Sequence, residues 1–117
     1  MKDVQFVELL IERVIDEADA YCQTALDSEN NATTPIWIEV IDMYRKFQPH
    51  EKAVFLKFLR LARVNATAQI LAILDGVSHL GDEFIEFELR LPGSNRLNGE
   101  LAEIFLEIEE ERNNGLN

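Results

Sequence analysis

Carboxylates are the side chains of this sequence whose number and spacing could do chemistry. Acidic residues recur every three or four positions along two amphipathic stretches, residues 3–26 and the stretch that follows Asn98. Oxygen ligands gathered from two helices can hold Mg²⁺, and the metal then orients a phosphate group or activates a water. Such a site needs carboxylates that face the interior of a bundle, whereas these acids lie opposite the apolar stripe of their own helices.

A Mg²⁺-dependent enzyme like the small all-helical nucleotide pyrophosphohydrolases is therefore the third-ranked interpretation. The five glycines have no nucleotide-loop spacing, and no basic phosphate-binding loop accompanies the acids. His50 and His79 lie far apart, and neither has an acid at metal-ligand helical spacing. The single cysteine, Cys22, lies on the apolar side of a predicted helix, which favours a small core residue over a nucleophile. We expect no catalytic residue, no metal site and no cofactor.

The same acids form two aligned faces. At 100° per residue, the acids of the first helix fall within about 80° of one another, almost opposite the core face. Like charges four residues apart destabilise a helix, and acids at a helix C-terminus oppose its dipole. Either a solvated surface tolerates them or they serve a basic partner. The partner-binding candidates are Glu8, Glu12, Asp16 and Asp19 on the first helix, and Glu103, Glu107 and Glu110 on the last. Leu106, among the latter, is either a second core contact or an exposed anchor.

Charge is unevenly distributed along the chain, whose formal net charge is −11. Residues 1–31 carry eight acids and two bases, residues 76–117 carry ten and three, and residues 32–75 carry four and six. An acidic protein repels nucleic acid and anionic membranes and attracts basic proteins. The basic residues expected on the outer face of the third helix, where salt bridges within the protein are favoured over a nucleic-acid site, are Lys52, Lys57, Arg60 and Arg63.

Apolar periodicity predicts a single domain over residues 1–117 with four to five helices. The first helix spans residues 3–26, the second begins after Thr34 and the third begins at Pro49. Asn65 is expected to interrupt the third helix, and Asn98 to cap the last. The residues expected to face inward are Val7, Leu10, Val14, Ala18, Tyr21 and Ala25, then Trp37, Val40, Ile41 and Tyr44, then Ala53, Phe55, Phe58, Leu59 and Ala62, and finally Leu101, Ile104, Phe105 and Ile108.

Residues 84–91 change to a period of two, with apolar and charged residues alternating, which predicts a half-buried strand. Because a lone strand cannot satisfy its backbone, it must pair with residues 77–80 or 96–97. The predicted fold class is therefore mainly α with a small antiparallel β element (α+β), a hairpin or a three-stranded patch beside the helices.

Three short segments read LAILDG at residues 71–76, LNGEL at 97–101 and FL at 105–106. They resemble segments of small bacterial immunity proteins of contact-dependent inhibition and polymorphic-toxin systems. The resemblance implies a cytoplasmic, non-catalytic protein that neutralises a basic toxin domain, such as a nuclease, by direct binding. We expect a basic protein partner and neither nucleic acid nor membrane. The alternative is a small acidic adaptor or structural subunit whose charge serves solubility alone.

Overall fold

The computed structural model describes residues 1–28 and 33–113, and all regular structure in these ranges is helical. The first long helix consists of α1 (Asp3–Leu10), a π-helical segment (Ile11–Asp16) and α2 (Glu17–Asp27). It is followed by α3 (Pro35–Arg45), α4 (Pro49–Leu74) and α5 (Leu101–Asn113). None of the helices in these ranges is both long and apolar enough to span a bilayer.

The π-helical segment decides which residues of the first helix face inward. Its i→i+5 bonding makes a wider turn, so each residue advances less around the axis than in an α-helix. Val7, Ile11 and Ile15, spaced four apart, therefore stay on one face, and all three are fully buried. The expectation that Val14 and Tyr21 face inward is wrong, since they are 37% and 66% exposed. That expectation assumed α-helical rotation throughout.

Two hydrophobic clusters divide the core along α4. The larger one joins α1, the π-helical segment, the C-terminal half of α4 and α5; its buried members are Val7, Ile11, Ile15, Leu71, Leu101 and Phe105. The smaller one joins α2, α3 and the N-terminal half of α4 around Leu26, Ile41 and Tyr44. Trp37 is only partly buried against this smaller cluster. Its ring packs edge-to-face with that of Tyr21, with 6.2 Å between the ring centroids. The division gives an elongated molecule of 49 × 33 × 28 Å.

The inner faces of the later helices agree with the periodicity only in part. Leu101 and Phe105 of α5 are buried as expected. Helix α4 continues through Asn65 without a break, so the expected interruption there is wrong. Phe58 was expected inside but is 64% exposed, because α4 turns its neighbours Leu56 and Leu59 toward the smaller cluster.

The predicted β element, and with it the α+β class, is wrong: the described residues form no sheet, and the fold is all-α. Within residues 84–91 only Phe87 and Leu89 are partly buried, whereas Ile85 and Leu91 are 46% and 43% exposed, so the alternation survives only in the middle of the segment. The pairing predicted with residues 96–97 is reduced to one bond, from the N–H of Leu97 to the carbonyl of Leu89 at 2.7 Å.

The buried side chain of Asn98 explains why no ladder forms. Its Oδ1 accepts a hydrogen bond from the N–H of Leu89, and its Nδ2 donates to the carbonyl of Phe87, both at 2.8 Å. Nδ2 also donates to the carbonyl of Leu74 at the end of α4. One side chain thus takes the place of a neighbouring strand. Asn98 is therefore unable to cap α5 as predicted, and Asp75 accepts the N–H of Ala102 there at 2.8 Å instead.

Tyr44 gives the smaller cluster a predictable response to alkaline pH. Burial, together with the negative charge of Asp27, raises the pKa of Tyr44 above its ordinary value of 10.0. The folded state therefore keeps the phenol proton to a higher pH than the unfolded state does. The contribution of Tyr44 to folding stability is complete below pH 10 and falls as the pH rises further. We expect Tyr44→Phe to lose less stability than the wild type between neutral pH and pH 11, measured by urea unfolding. Tyr21→Phe, at an exposed ring, should follow the wild type; identical pH slopes for all three proteins would contradict this account.

Candidate binding surface and adjoining charge cluster

Six charged side chains gather where α4 passes the π-helical segment, α2 and α5. We call this group the charge cluster; its members are Asp16, Asp19, Arg60, Arg63, Glu109 and Arg112. Three carboxylates meet three guanidinium groups, so the formal charges cancel. On α4 the cluster lies between Leu59 of the smaller hydrophobic cluster and Val64, which packs on the larger one. It therefore occupies the junction of the two cores.

Arg60 is the central member of the charge cluster. Its Nη2 donates to both carboxylate oxygens of Glu109, at 2.9 and 3.1 Å, and its Nη1 donates to Asp19. Asp16 lies 3.4 Å from both terminal nitrogens. Burial alone would lower the pKa of Arg60, but its hydrogen bonds to Asp19 and the charge of Glu109 outweigh burial and raise that pKa. The guanidinium is thus a permanent positive charge that ties α5 to the first helix.

Glu109 is the most deeply buried acid among the described residues, with 4% of its side chain exposed. Besides Arg60 it contacts Asn113, whose Nδ2 donates to its carboxylate at 3.0 Å. A buried carboxylate is tolerated only when it is paired and hydrogen-bonded. Glu109 was not among the sequence candidates, although it occupies the same side of α5 as the apolar residues Leu101 and Phe105, and that inward position was the available signal.

The four candidate acids of the first helix lie in two different settings. Glu8 and Glu12 are exposed. Asp16 and Asp19 are only partly exposed and are held in the charge cluster, Asp16 also by Arg112 at 2.9 Å. Glu12 and Asp16 lie near opposite ends of the π-helical segment, whose slower rotation turns Asp16 and the following Asp19 toward α4. The single acidic face drawn at 100° per residue is therefore split.

The three candidate acids of α5 remain together on its outward side. Glu103, Glu107 and Glu110 are exposed, and Leu106 between them is 47% exposed. Helix α5 packs against α1, which carries Glu8. Within the described ranges, these carboxylates make no ion pair or side-chain hydrogen bond. We call this set the free acidic surface: Glu8, Glu12, Glu103, Glu107 and Glu110.

The basic residues of α4 do not form one outward face. Arg60 and Arg63 turn inward to the acids of the charge cluster, and Arg63 also lies 3.6 Å from the sulfur of Cys22. Lys52 places its ammonium 5.1 Å from the ring centre of Tyr44. Lys57 is exposed beside an open cleft next to the charge cluster. The favoured salt bridges within the protein thus form at Arg60 and Arg63.

The arrangement of the acids bears on the hydrolase interpretation. Among residues 1–28 and 33–113, no three His, Cys, Asp or Glu side chains lie close enough to hold a metal ion together. The carboxylates of the free acidic surface point outward, and those of the charge cluster are bound by arginines. What this geometry offers is a charged, outward-facing surface rather than a converging set of ligands.

No family model matches the chain, and neither a curated protein nor a solved structure is significantly similar to it. Any functional conclusion therefore depends on the residues and their geometry.

Proposed function

We propose that this chain is a non-catalytic, cytoplasmic binding protein of the immunity type, which neutralises a basic toxin domain such as a nuclease by direct contact. The free acidic surface is the proposed binding site. Its partner is a protein whose lysines and arginines form the ion pairs that these carboxylates lack within the described part of the chain. Complementary charge of this kind steers association and sets specificity more than it sets affinity.

One observation carries the proposal, namely that the acids of this protein are of two kinds. Those of the charge cluster are neutralised by arginines within the fold. Those of the free acidic surface are left exposed and uncompensated on two adjacent helices, where they repel one another. Leu106 supplies an apolar contact in the middle of the α5 acids, as the centre of a protein interface usually requires.

The test compares three baits in quantitative capture from the source organism: the wild type, Glu103→Lys/Glu107→Lys and Glu39→Lys/Asp42→Lys. Each double variant changes the net charge equally, by reversing two exposed acids on one helix. We expect the wild type and the α3 control to capture the same basic protein, and the α5 variant to lose it. With that protein purified, the α5 variant should associate about tenfold more slowly at low salt and show a weaker salt dependence.

A second measurement separates immunity from an adaptor role. Expressed alone, the captured protein should arrest growth, and co-expression of this chain should relieve the arrest. Relief should be weaker with the α5 variant than with the α3 control. Capture of a harmless partner would favour the adaptor role. Equal capture and equal relief by both double variants would show that the free acidic surface is not the binding site.

A further inference from the structure

Residues 86–90 present one row of backbone groups that no described residue satisfies. In an extended chain, the N–H and C=O of one residue point to one side and those of the next residue to the other. The N–H and C=O of Leu89 and the C=O of Phe87 point toward Leu97 and Asn98, which bind them. The backbone groups of the intervening even-numbered residues therefore point outward. Those residues are Glu86, Glu88 and Arg90, and all three are exposed.

Unsatisfied N–H and C=O groups along one side of an extended segment are a template for a strand. We propose that the strand this row accepts is the same segment of a second copy, running antiparallel. Residues 87–91 of the two chains then form a two-stranded pair about a twofold axis at Leu89. This proposal is independent of the function proposed above, since it involves neither α1 nor α5.

The charges on this row make it complementary to itself in one register. With Leu89 opposite Leu89 of the second copy, Glu88 lies opposite Arg90, and the twofold axis repeats that pair. Sliding one chain by two residues places either Arg90 opposite Arg90, or Glu88 opposite Glu88 with Glu86 opposite Arg90 on each side; sliding the latter by two more places Glu86 opposite Glu88. Only the register centred on Leu89 pairs opposite charges without also placing like charges opposite each other. Like charges directly opposite destabilise a strand pair, whereas opposite charges stabilise it. Within one chain, Arg90 already reaches Glu88 at 2.9 Å, so exchanging partners between copies keeps both groups paired.

The same register agrees with the direction of the backbone groups. In an antiparallel pair, residues that exchange hydrogen bonds alternate with residues that do not. Glu88 and Arg90 fall in the exchanging positions, and Leu89 falls in the other, where its backbone remains bound to Leu97 and Asn98. Phe87 comes to lie opposite Leu91 of the second copy, which is 43% exposed in the single chain. The pair therefore adds an apolar contact, keeps the hydrogen bonds to Leu97 and Asn98, and exchanges only the Glu88–Arg90 ion pair.

The pair is short, and each copy carries a formal charge of −11, so we expect a weak dimer that salt strengthens by screening. Sedimentation of the full chain at rising concentration and two ionic strengths measures this directly. Glu88→Pro removes one outward N–H per copy and should raise the dimer dissociation constant about tenfold. Glu88→Ala keeps the N–H, and it should weaken the dimer less.

A mixing experiment tests the register. Both variants are made in a Glu86→Ala background, because Glu86 could otherwise pair with a new arginine at position 88 in a shifted register. Glu88→Arg places Arg opposite Arg90, and Arg90→Glu places Glu opposite Glu88, so neither variant should dimerise alone. Mixed together, each charge meets its opposite, and a heterodimer should form. Circular dichroism and thermal unfolding of each variant check that it is folded. A chain that stays monomeric at every concentration and salt, or a dimer unaffected by Glu88→Pro, would overturn the proposal.

Discussion

Replacing Arg60 with methionine should lower the free energy of unfolding by about 3–4 kcal/mol, because it leaves the buried carboxylate of Glu109 without its cation. Asp16 and Asp19 retain Arg112 and Arg63, so the loss falls mainly on Glu109. Urea unfolding followed by circular dichroism measures the effect. A loss of this size is a large part of the stability of an ordinary domain.

Two further variants make the Arg60 prediction specific. Lys57→Met removes an exposed cation one turn earlier on α4 and should cost less than about 0.5 kcal/mol. Adding Glu109→Gln to Arg60→Met removes the unpaired charge while keeping a group that can bond to Asn113, so it should restore part of the loss. Equal effects of Arg60→Met and Lys57→Met would show that the charge cluster contributes nothing beyond surface ion pairs.

Replacing Phe105 with alanine should be equally damaging, at about 3–5 kcal/mol, for an apolar reason. Its side chain is fully buried in the larger hydrophobic cluster, among α1, α4 and α5. Truncation leaves a cavity, and the helices around it cannot move together far enough to close it. Leu106→Ala is the matched control, since the adjacent side chain is 47% exposed and should cost under about 1 kcal/mol.

The Phe105 prediction also bears on the binding proposal. Leu106→Ala should leave unfolding almost unchanged yet weaken binding to the captured basic protein. If Leu106→Ala destabilised the fold as much as Phe105→Ala, Leu106 would be a core residue. It would then be excluded from the proposed interface.

Helix positions and most of the α5 core could be predicted from sequence, because apolar residues such as Leu101 and Phe105 recur at the α-helical period on one amphipathic helix. The inward-facing residues of the first helix could not be predicted in the same way, because the helical period changes at Ile11–Asp16. That change moved Asp16 and Asp19 from the predicted acidic surface into the charge cluster. Helix α5 keeps the α-helical period, so the sequence predicts the outward positions of Glu103 and Glu107 correctly.

The predicted strand failed for a different reason. Alternation at residues 84–91 is typical of a strand, but it does not show which groups form hydrogen bonds with the backbone of that segment. A single asparagine, Asn98, can satisfy the groups that a neighbouring strand would satisfy, and no periodicity marks it. The buried Glu109 was missed similarly, because its partner Arg60 lies 49 positions away in the chain and was expected on an outer face.

The separation of the core into two clusters also separates the acidic helices from helix α3. Every residue of the free acidic surface lies on α1, the π-helical segment or α5, the elements of the larger cluster. Helix α3 packs through Ile41 and Tyr44 against Leu26 of α2, in the smaller cluster. Local unfolding of α3 would therefore expose apolar surface at the far end while the acidic helices keep their packing. The proposed binding surface and helix α3 therefore belong to different halves of the core.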